Sequence, residues 1–152
     1  GLMAGGRPAG FVSLNAEPGG AVAPVGGFER ISFETMSKPL GPYVPVRRAG
    51  DFIFVSGQGG LDDGVKVNGG VVPETIQTMQ NLRVQLESAG AAMGDVVKTT
   101  CFLTDMEDYV KFNAEYSAAF GDHRPARSCV AVKALPAGFL VEVEAIAYKP
   151  LD

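Results

Sequence analysis

The chain has few of the residues on which metal sites and disulfide scaffolds depend. Its 152 residues include two cysteines, one histidine and no tryptophan. Cys101 and Cys129 form no CxxC motif and are too few for a disulfide framework, and a single histidine disfavours a zinc site. We therefore expect a cytoplasmic protein with reduced thiols and no bound metal.

Long apolar segments and an excess of basic residues are also lacking. No run approaches the roughly 18 apolar residues that span a bilayer, and the N-terminus lacks the features of a signal peptide. The net charge of -4 and the isoelectric point near 5.0 argue against a dedicated nucleic-acid surface. What the chain does have is a hydrophobic fraction of 46%, in a length that suits one domain with its own core.

Glycine is concentrated at the N-terminus, where residues 1–27 hold eight of the chain's 20 glycines. We interpret residues 1–27 as a low-complexity leader that is flexible or vector-derived, because either Met3 or Met36 could be a translation start. Residues 28–152 have regular apolar patterns and are expected to form a single domain.

The pattern after residue 28 predicts six strands and two helices in the order β-β-β-α-β-α-β-β. Pro73 and Gly90 bound the first helix, and Asp105 caps a second helix. This order is typical of an α+β domain with two helices on one face of a mixed six-stranded sheet. Because the last strand is apolar on both faces, we expect self-association to cover the other face. The predicted strands span residues 30–36, 43–48, 52–57, 95–103, 126–133 and 139–148, and residues 59–70 are predicted to be a loop.

An arginine lies near the start of the fifth predicted strand, in the segment Pro125–Val130. A half-buried guanidinium needs an anionic partner, and its planar fork suits a carboxylate or a phosphate. Glu142 and Glu144 share one face of the last strand. The combination of Arg127 with nearby carboxylates on apolar strands indicates a small-molecule site.

Other polar residues interrupt apolar patterns, and each has a structural alternative. Asn113 lies within an aromatic stripe of the second helix, where it could satisfy backbone groups or contact a ligand. Glu142 could equally lie at the solvent rim, and Tyr43, after a Gly-Pro turn, could be a packed aromatic. Gly57, next to Ser56 at a strand end, permits close approach of a ligand or serves an ordinary turn.

Cys129 is better interpreted as a small buried residue than as a nucleophile. A catalytic thiolate needs a nearby base, and the only histidine, His123, lies in a different predicted segment.

Seven segments, taken in order, resemble the RidA (YjgF-type) family of 2-iminobutanoate/2-iminopropanoate deaminases, also labelled the endoribonuclease L-PSP family. The resemblance covers about residues 30–149, and the PARSCV segment at 125–130 is its most specific part. The others are Gly41–Tyr43, Phe54–Gln58, Gln77–Leu82, the segment from Ala89 to Thr100, Asn113–Tyr116 and Val141–Ala147.

This resemblance implies a chorismate-mutase-like fold assembled as a homotrimer, with active sites in the clefts between subunits and no cofactor. It implies hydrolysis of reactive 2-imino or enamine acids to 2-keto acids and ammonia. Arg127 would anchor the substrate carboxylate and Glu142 would position or deprotonate water. The matching substrate-binding positions are Tyr43, Ser56, Gly57, Asn113 and Cys129. The segments 44–48 and 59–63 depart from the family pattern beside the implied site.

Two other classes of function remain open at this point. One is a non-catalytic binder of small carboxylates with a chaperone-like role, and the other is an endoribonuclease that inhibits translation. The acidic isoelectric point counts against the second class.

Overall fold

The computed structural model describes residues 11–12 and 38–152. Within them, a six-stranded sheet has the order β1-β2-β3-β8-β6-β7, and β4 and β5 form a separate hairpin. The elements are β1 (Phe11–Val12), β2 (Val46–Ala49), β3 (Phe52–Gln58), β4 (Leu61–Asp62), β5 (Val65–Lys66), α1 (Val71–Ser88), β6 (Val96–Leu103), α2 (Tyr109–Phe120), β7 (Ala126–Ala131) and β8 (Val141–Tyr148).

The sheet is mixed because one of its strand pairs is parallel. β6 pairs with β7 in parallel, and the other pairings, including β8 with both β3 and β6, are antiparallel. A parallel pair needs a crossover connection, and α2 lies in the connection between β6 and β7. The predicted α+β architecture with two helices is confirmed.

The core lies between the helices and one face of the sheet. Alternate residues of β8, from Val141 to Ala147, are buried, as are Leu82 and Leu86 of α1 and Phe112 of α2. Period-two alternation sends the remaining β8 side chains to the other face, which neither helix covers. The uncovered face exposes Phe52, Phe54, Val130 and Tyr148.

Helix α1 follows from the spacing of its buried residues, which recur three or four positions apart from Val71 to Leu86. It begins at Val71, two residues before the predicted start, since a proline at the third position lacks only an N–H that the first turn leaves unpaired. It ends at Ser88, and Gly90 then takes a positive φ of 82°, which favours glycine.

Helix α2 begins later than its cap suggests. The Asp105 carboxylate accepts a hydrogen bond of 2.9 Å from the Glu107 N–H, and this caps a 3-10 turn over Met106–Asp108 before the α-helix starts at Tyr109. Along α2 the rings of Tyr116 and Phe120 lie 4.9 Å apart.

Three parts of the sequence prediction differ from the structure or fall outside its described residues. Residues 59–70, predicted as a loop, contain the β4–β5 hairpin, whose turn places Asp63 and Gly64 at positive φ. β2 begins at Val46 instead of residue 43, because the Tyr43 N–H turns back to the Gly41 carbonyl. The predicted strand 30–36, and the leader apart from Phe11–Val12, lie outside the described residues.

In the described part of the chain, no helix is long and apolar enough to cross a membrane.

Substitution of Leu82 tests the core. Leu82 is fully buried, whereas Ile76 on the same helix is 52% exposed. We expect Leu82→Ala to lower the free energy of unfolding by about 3 kcal/mol through lost burial and a cavity, and Ile76→Ala to change it by less than about 1 kcal/mol. Urea unfolding measures both, and equal losses would contradict this assignment of the core.

Candidate active site

The Arg127 side chain is held in place by α2. β7 directs it toward the helix-covered face, where Nη1 donates to Asn113 Oδ1 at 2.8 Å and Nη2 donates to Tyr109 Oη at 3.0 Å. The guanidinium carbon lies 4.8 Å from the centre of the Tyr116 ring. Hydrogen bonds and cation–π contacts together restrict its orientation before any ligand arrives.

No carboxylate neutralises this guanidinium within the described residues. The ion pairs found there join Lys66 to Glu74 and Lys149 to Asp95, whereas both hydrogen-bond acceptors of Arg127 are uncharged. A guanidinium has five N–H donors, so donors remain for an anion. The arrangement is that of a preformed carboxylate- or phosphate-binding group.

Cys129 lies beside this group, two residues further along β7 on the same face. Burial raises the pKa of its thiol, although the Arg127 charge lowers it in part. Its neighbour across the parallel pair is Cys101, where burial is the main cause that raises the pKa to about 12. At neutral pH both groups are thiols, which are poor nucleophiles.

A cavity of about 340 Å³ lies where β3 bulges away from β8. Tyr43, Gly57, Phe139 and Glu142 are among its lining residues. A Cβ at Gly57 would lie 2.6 Å from Glu142 Oε2, which is closer than atoms can pack. The absence of a side chain at Gly57 therefore lets the Glu142 carboxylate occupy this position.

The Glu142 carboxyl holds its proton more strongly than usual. Burial raises its pKa, and the nearby Glu144 raises it further. A carboxylate is a better proton acceptor as its pKa approaches the working pH. Glu142 is thus suited to accept a proton from water.

Ser56 and Tyr43 occupy different surroundings. Ser56 Oγ donates to the Val44 carbonyl at 2.7 Å and lines a second cavity of about 290 Å³ on the uncovered face. Its hydroxyl fixes the segment before β2. Tyr43 lies at the first cavity, 47% exposed, and its hydroxyl accepts from the Leu40 N–H.

The sequence pattern suggests that Arg127 lies near Glu142. Within a single chain, however, the two residues lie far apart. Arg127 is aligned with Ala145 through Thr99, and Glu142 is aligned with Phe102. The two residues thus differ by two strand spacings and three positions along the strand, roughly 14 Å between Cα atoms. Their side chains also point to opposite faces of the sheet. The predicted residues form two groups, Arg127 with Asn113 and Cys129, and Glu142 with Gly57 and Tyr43.

The tyrosines around Arg127 were missed by sequence reasoning. Tyr109 and Tyr116 fall on the apolar stripe of α2, a pattern that predicts packing and gives no indication of a site role. Their hydroxyl groups were the feature that could have indicated a site role. They flank Asn113 on the same helical face, at positions i–4 and i+3.

Comparison with known proteins agrees with this fold and these motifs. Residues 34–149 match the model of the family described as endoribonuclease L-PSP. A RutC family protein of Pyrococcus horikoshii is 43% identical over 123 residues, covering 80% of this chain and 98% of that protein. A 2-iminobutanoate/2-iminopropanoate deaminase of Escherichia coli K12 is 38% identical, covering 78% and 96%.

A crystal structure described as a putative endoribonuclease L-PSP from Entamoeba histolytica superposes with a TM-score of 0.74 at 42% identity. It covers 77% of this chain and 95% of that one. The chain belongs to the endoribonuclease L-PSP family, which includes proteins of the RidA and YjgF type.

The carboxyl pKa gives a direct test of the Glu142 environment. Because its folded-state pKa is raised, its contribution to stability is present below the unfolded pKa and is lost as pH rises through the folded pKa. We expect the ¹³C carboxyl signal of Glu142 to titrate above the ordinary glutamate range, and Glu144→Gln to lower its midpoint. Glu87→Gln, on the exposed side of α1, should have no effect. An unchanged midpoint in Glu144→Gln would contradict the assigned coupling.

Proposed function

We propose that this protein hydrolyses 2-imino acids and their enamine tautomers, such as 2-iminopropanoate and 2-iminobutanoate, to 2-keto acids and ammonia. The observation that carries the proposal is the oriented Arg127 guanidinium, which has unused donors and no anionic partner among the described residues. Relatives at 38% and 44% identity are named as deaminases of these two imines.

The substrate carboxylate would bind the free donors of Arg127. A bidentate contact of this kind fixes both the position and the plane of the carboxylate. The imine carbon next to it is then held in one place, so that addition of water becomes an oriented, nearly unimolecular step. Asn113 contributes by holding Nη1 of the guanidinium.

Water would add to the imine carbon with Glu142 as the proton acceptor. As the C–O bond forms, one water proton passes to Glu142 and the C=N π electron pair moves to nitrogen, to which Glu142 then returns that proton to give the carbinolamine. The carbinolamine hydroxyl next gives its proton to Glu142, which passes it to the amine; as the C=O bond forms, the C–N bond breaks and ammonia leaves, which yields the 2-keto acid and the original carboxylate.

The Gly57 N–H, the backbone beside Cys129 and Tyr43 are candidate hydrogen-bond partners of the substrate. Ser56, whose hydroxyl donates to the Val44 carbonyl, would contribute by holding the segment before β2.

The proposed site is composed from two copies of the chain. Support comes from the alternation of the sheet, since Arg127 and Glu142 point to opposite faces of one sheet and cannot both reach one small imine. The uncovered face also exposes Phe52 and Tyr148, whose rings lie 5.2 Å apart. The proposed assembly is a homotrimer that covers this face and has three inter-subunit clefts, in which β7, an edge strand of the sheet, would carry Arg127 of one copy to Glu142 of another.

Binding without turnover is the second candidate function, and the same separation favours it. If no assembly joins the two groups, Arg127 still binds carboxylates, but the Glu142 carboxylate does not reach the imine carbon. Such a protein would retain a 2-keto acid without accelerating imine loss.

Imine turnover in Arg127→Ala is the principal test. An amino-acid oxidase generates the two imines in situ, and semicarbazide traps what remains. We expect the wild-type protein to accelerate imine loss and Arg127→Ala to reduce kcat/KM by about 100-fold or more, since two charge-assisted hydrogen bonds are removed. Arg124→Ala is the matched control, because Arg124 bonds to the nearby Ser117 hydroxyl and to the His123 carbonyl.

Size measurement by light scattering should give the same oligomer for all three proteins. Unchanged turnover in Arg127→Ala would contradict the carboxylate anchor, and wild-type binding of pyruvate without imine loss would identify the binder. RNA incubated with the wild-type protein should remain intact.

Replacement of the Cys129 thiol tests whether the side chain of this residue takes part in the reaction or only its backbone. We expect Cys129→Ala to keep turnover within about threefold, because the raised pKa keeps the sulfur protonated and the proposed contact uses the main chain. Steady-state kinetics on 2-iminopropanoate measures this. A loss of several hundredfold in a folded variant would instead point to a covalent thiol mechanism.

A further inference from the structure

Glu74 is a fully buried carboxylate in the first turn of α1, and the proposed reaction does not use it. Carboxylates are rarely buried unless they are paired and hydrogen-bonded. Here Oε2 lies 3.4 Å from Lys66 Nζ of the β4–β5 hairpin. The other oxygen, Oε1, accepts hydrogen bonds from the N–H groups of Leu140 and Val141.

These two N–H groups belong to the residue before β8 and to its first residue, and Glu142 follows directly. Val141 is fully buried, so its backbone is constrained by the core on one side and by Glu74 on the other. The peptide group that follows Val141 leads into Glu142 and fixes the direction in which its side chain leaves the strand. Glu74 therefore acts on the geometry of Glu142 through the main chain.

The opposite wall of the cavity is attached to α1 as well. A Cβ at Gly60 would lie 2.6 Å from Glu74 Cγ, so this loop packs directly on the Glu74 side chain. The Asn81 side-chain amide donates to the carbonyls of Gly59 and Leu61, each at 2.8 Å. One helix thus holds both the segment after Gly57 and the start of β8, and the Glu142 carboxylate lies against Gly57.

We propose that Glu74 is a positioning residue, which holds the start of β8 so that the Glu142 carboxylate stays against Gly57. This inference rests on the proposed function in assigning Glu142 to the activation of water. A displacement of about 1 Å at a reacting group can lower turnover by about 100-fold. Loss of the Glu74 acceptor should therefore affect kcat, whereas carboxylate binding by Arg127 should persist.

Comparison of Glu74→Leu with Glu74→Gln tests whether the hydrogen-bond acceptor of Glu74 positions Glu142, as distinct from the size or the charge of the side chain. The glutamine keeps a carbonyl oxygen for the Leu140 and Val141 N–H groups, and the leucine offers none. We expect Glu74→Leu to lower kcat by about 30-fold or more, with the affinity for pyruvate changed less than about threefold. Glu74→Gln should recover most of kcat. Leu82→Ala controls for lost stability, since Leu82 lies in the core and its side chain has no acceptor for either N–H group.

Equal kcat for Glu74→Leu and wild type, with both proteins folded at the assay temperature, would overturn the proposal. So would a kcat in Leu82→Ala as low as that in Glu74→Leu, because general destabilisation would then account for the loss. A pyruvate affinity that falls in parallel with kcat would also count against it.

A readout without turnover keeps this inference separate from the proposed function. We expect amide hydrogen exchange at Leu140 and Val141 to rise at least tenfold in Glu74→Leu relative to Val143, and the ¹³C carboxyl signal of Glu142 to shift. If the wild type does not hydrolyse imines, the proposed function fails, and these two signals still test the positioning. Unchanged exchange and an unchanged carboxyl signal would overturn it.

Discussion

The contact between Arg127 and α2 connects the fold to its chemistry. The crossover through α2 makes β7 parallel to β6, and the same helix supplies the Asn113, Tyr109 and Tyr116 groups that orient the guanidinium. Aromatic rings and neutral acceptors hold a charge in position without cancelling it, so the attraction for an anion is preserved. A carboxylate in place of Asn113 would have filled the site with an internal ion pair. The neutrality of these partners is thus what makes Arg127 available to a ligand.

Alternation along the strands imposes the second constraint. Residues that face the helices cannot contribute to a site on the uncovered face, and the candidate groups are divided in this way. Glu142 has its own surroundings, formed by the β3 bulge and by Gly57. The same uncovered face carries exposed aromatic side chains, which favours association between copies. Assembly and completion of the site are therefore linked in the function we propose.

From residue 43 onward the sequence predicted both helices and each strand except the β4–β5 hairpin, whereas Phe11–Val12 of β1 lie in the segment interpreted as a leader. Strong signals came from residues that contradict their local pattern, such as Arg127 in a strand and Asn113 in an aromatic stripe. The β4–β5 hairpin was not predictable from its polar composition, because Glu74 and Asn81 on α1 hold it through long-range contacts. Nor was the distance between Arg127 and Glu142, since strand order and crossover direction decide it. Tyr109 was overlooked because a tyrosine at a helical apolar position predicts packing as well as hydrogen bonding.

A site divided in this way suits a reaction with a low intrinsic barrier. Activated imines already hydrolyse in water, so an enzyme needs to supply only a few kcal/mol, much less than typical rate enhancements. Orientation by one guanidinium and proton acceptance by one carboxyl of raised pKa can provide this much. No metal or covalent nucleophile is required by the chemistry. The rate enhancement would instead depend on accurate placement of the two groups, because a small displacement of either one removes much of it. Within the proposed function, this would account for a buried carboxylate at Glu74, costly in free energy by itself, next to the segment that carries Glu142.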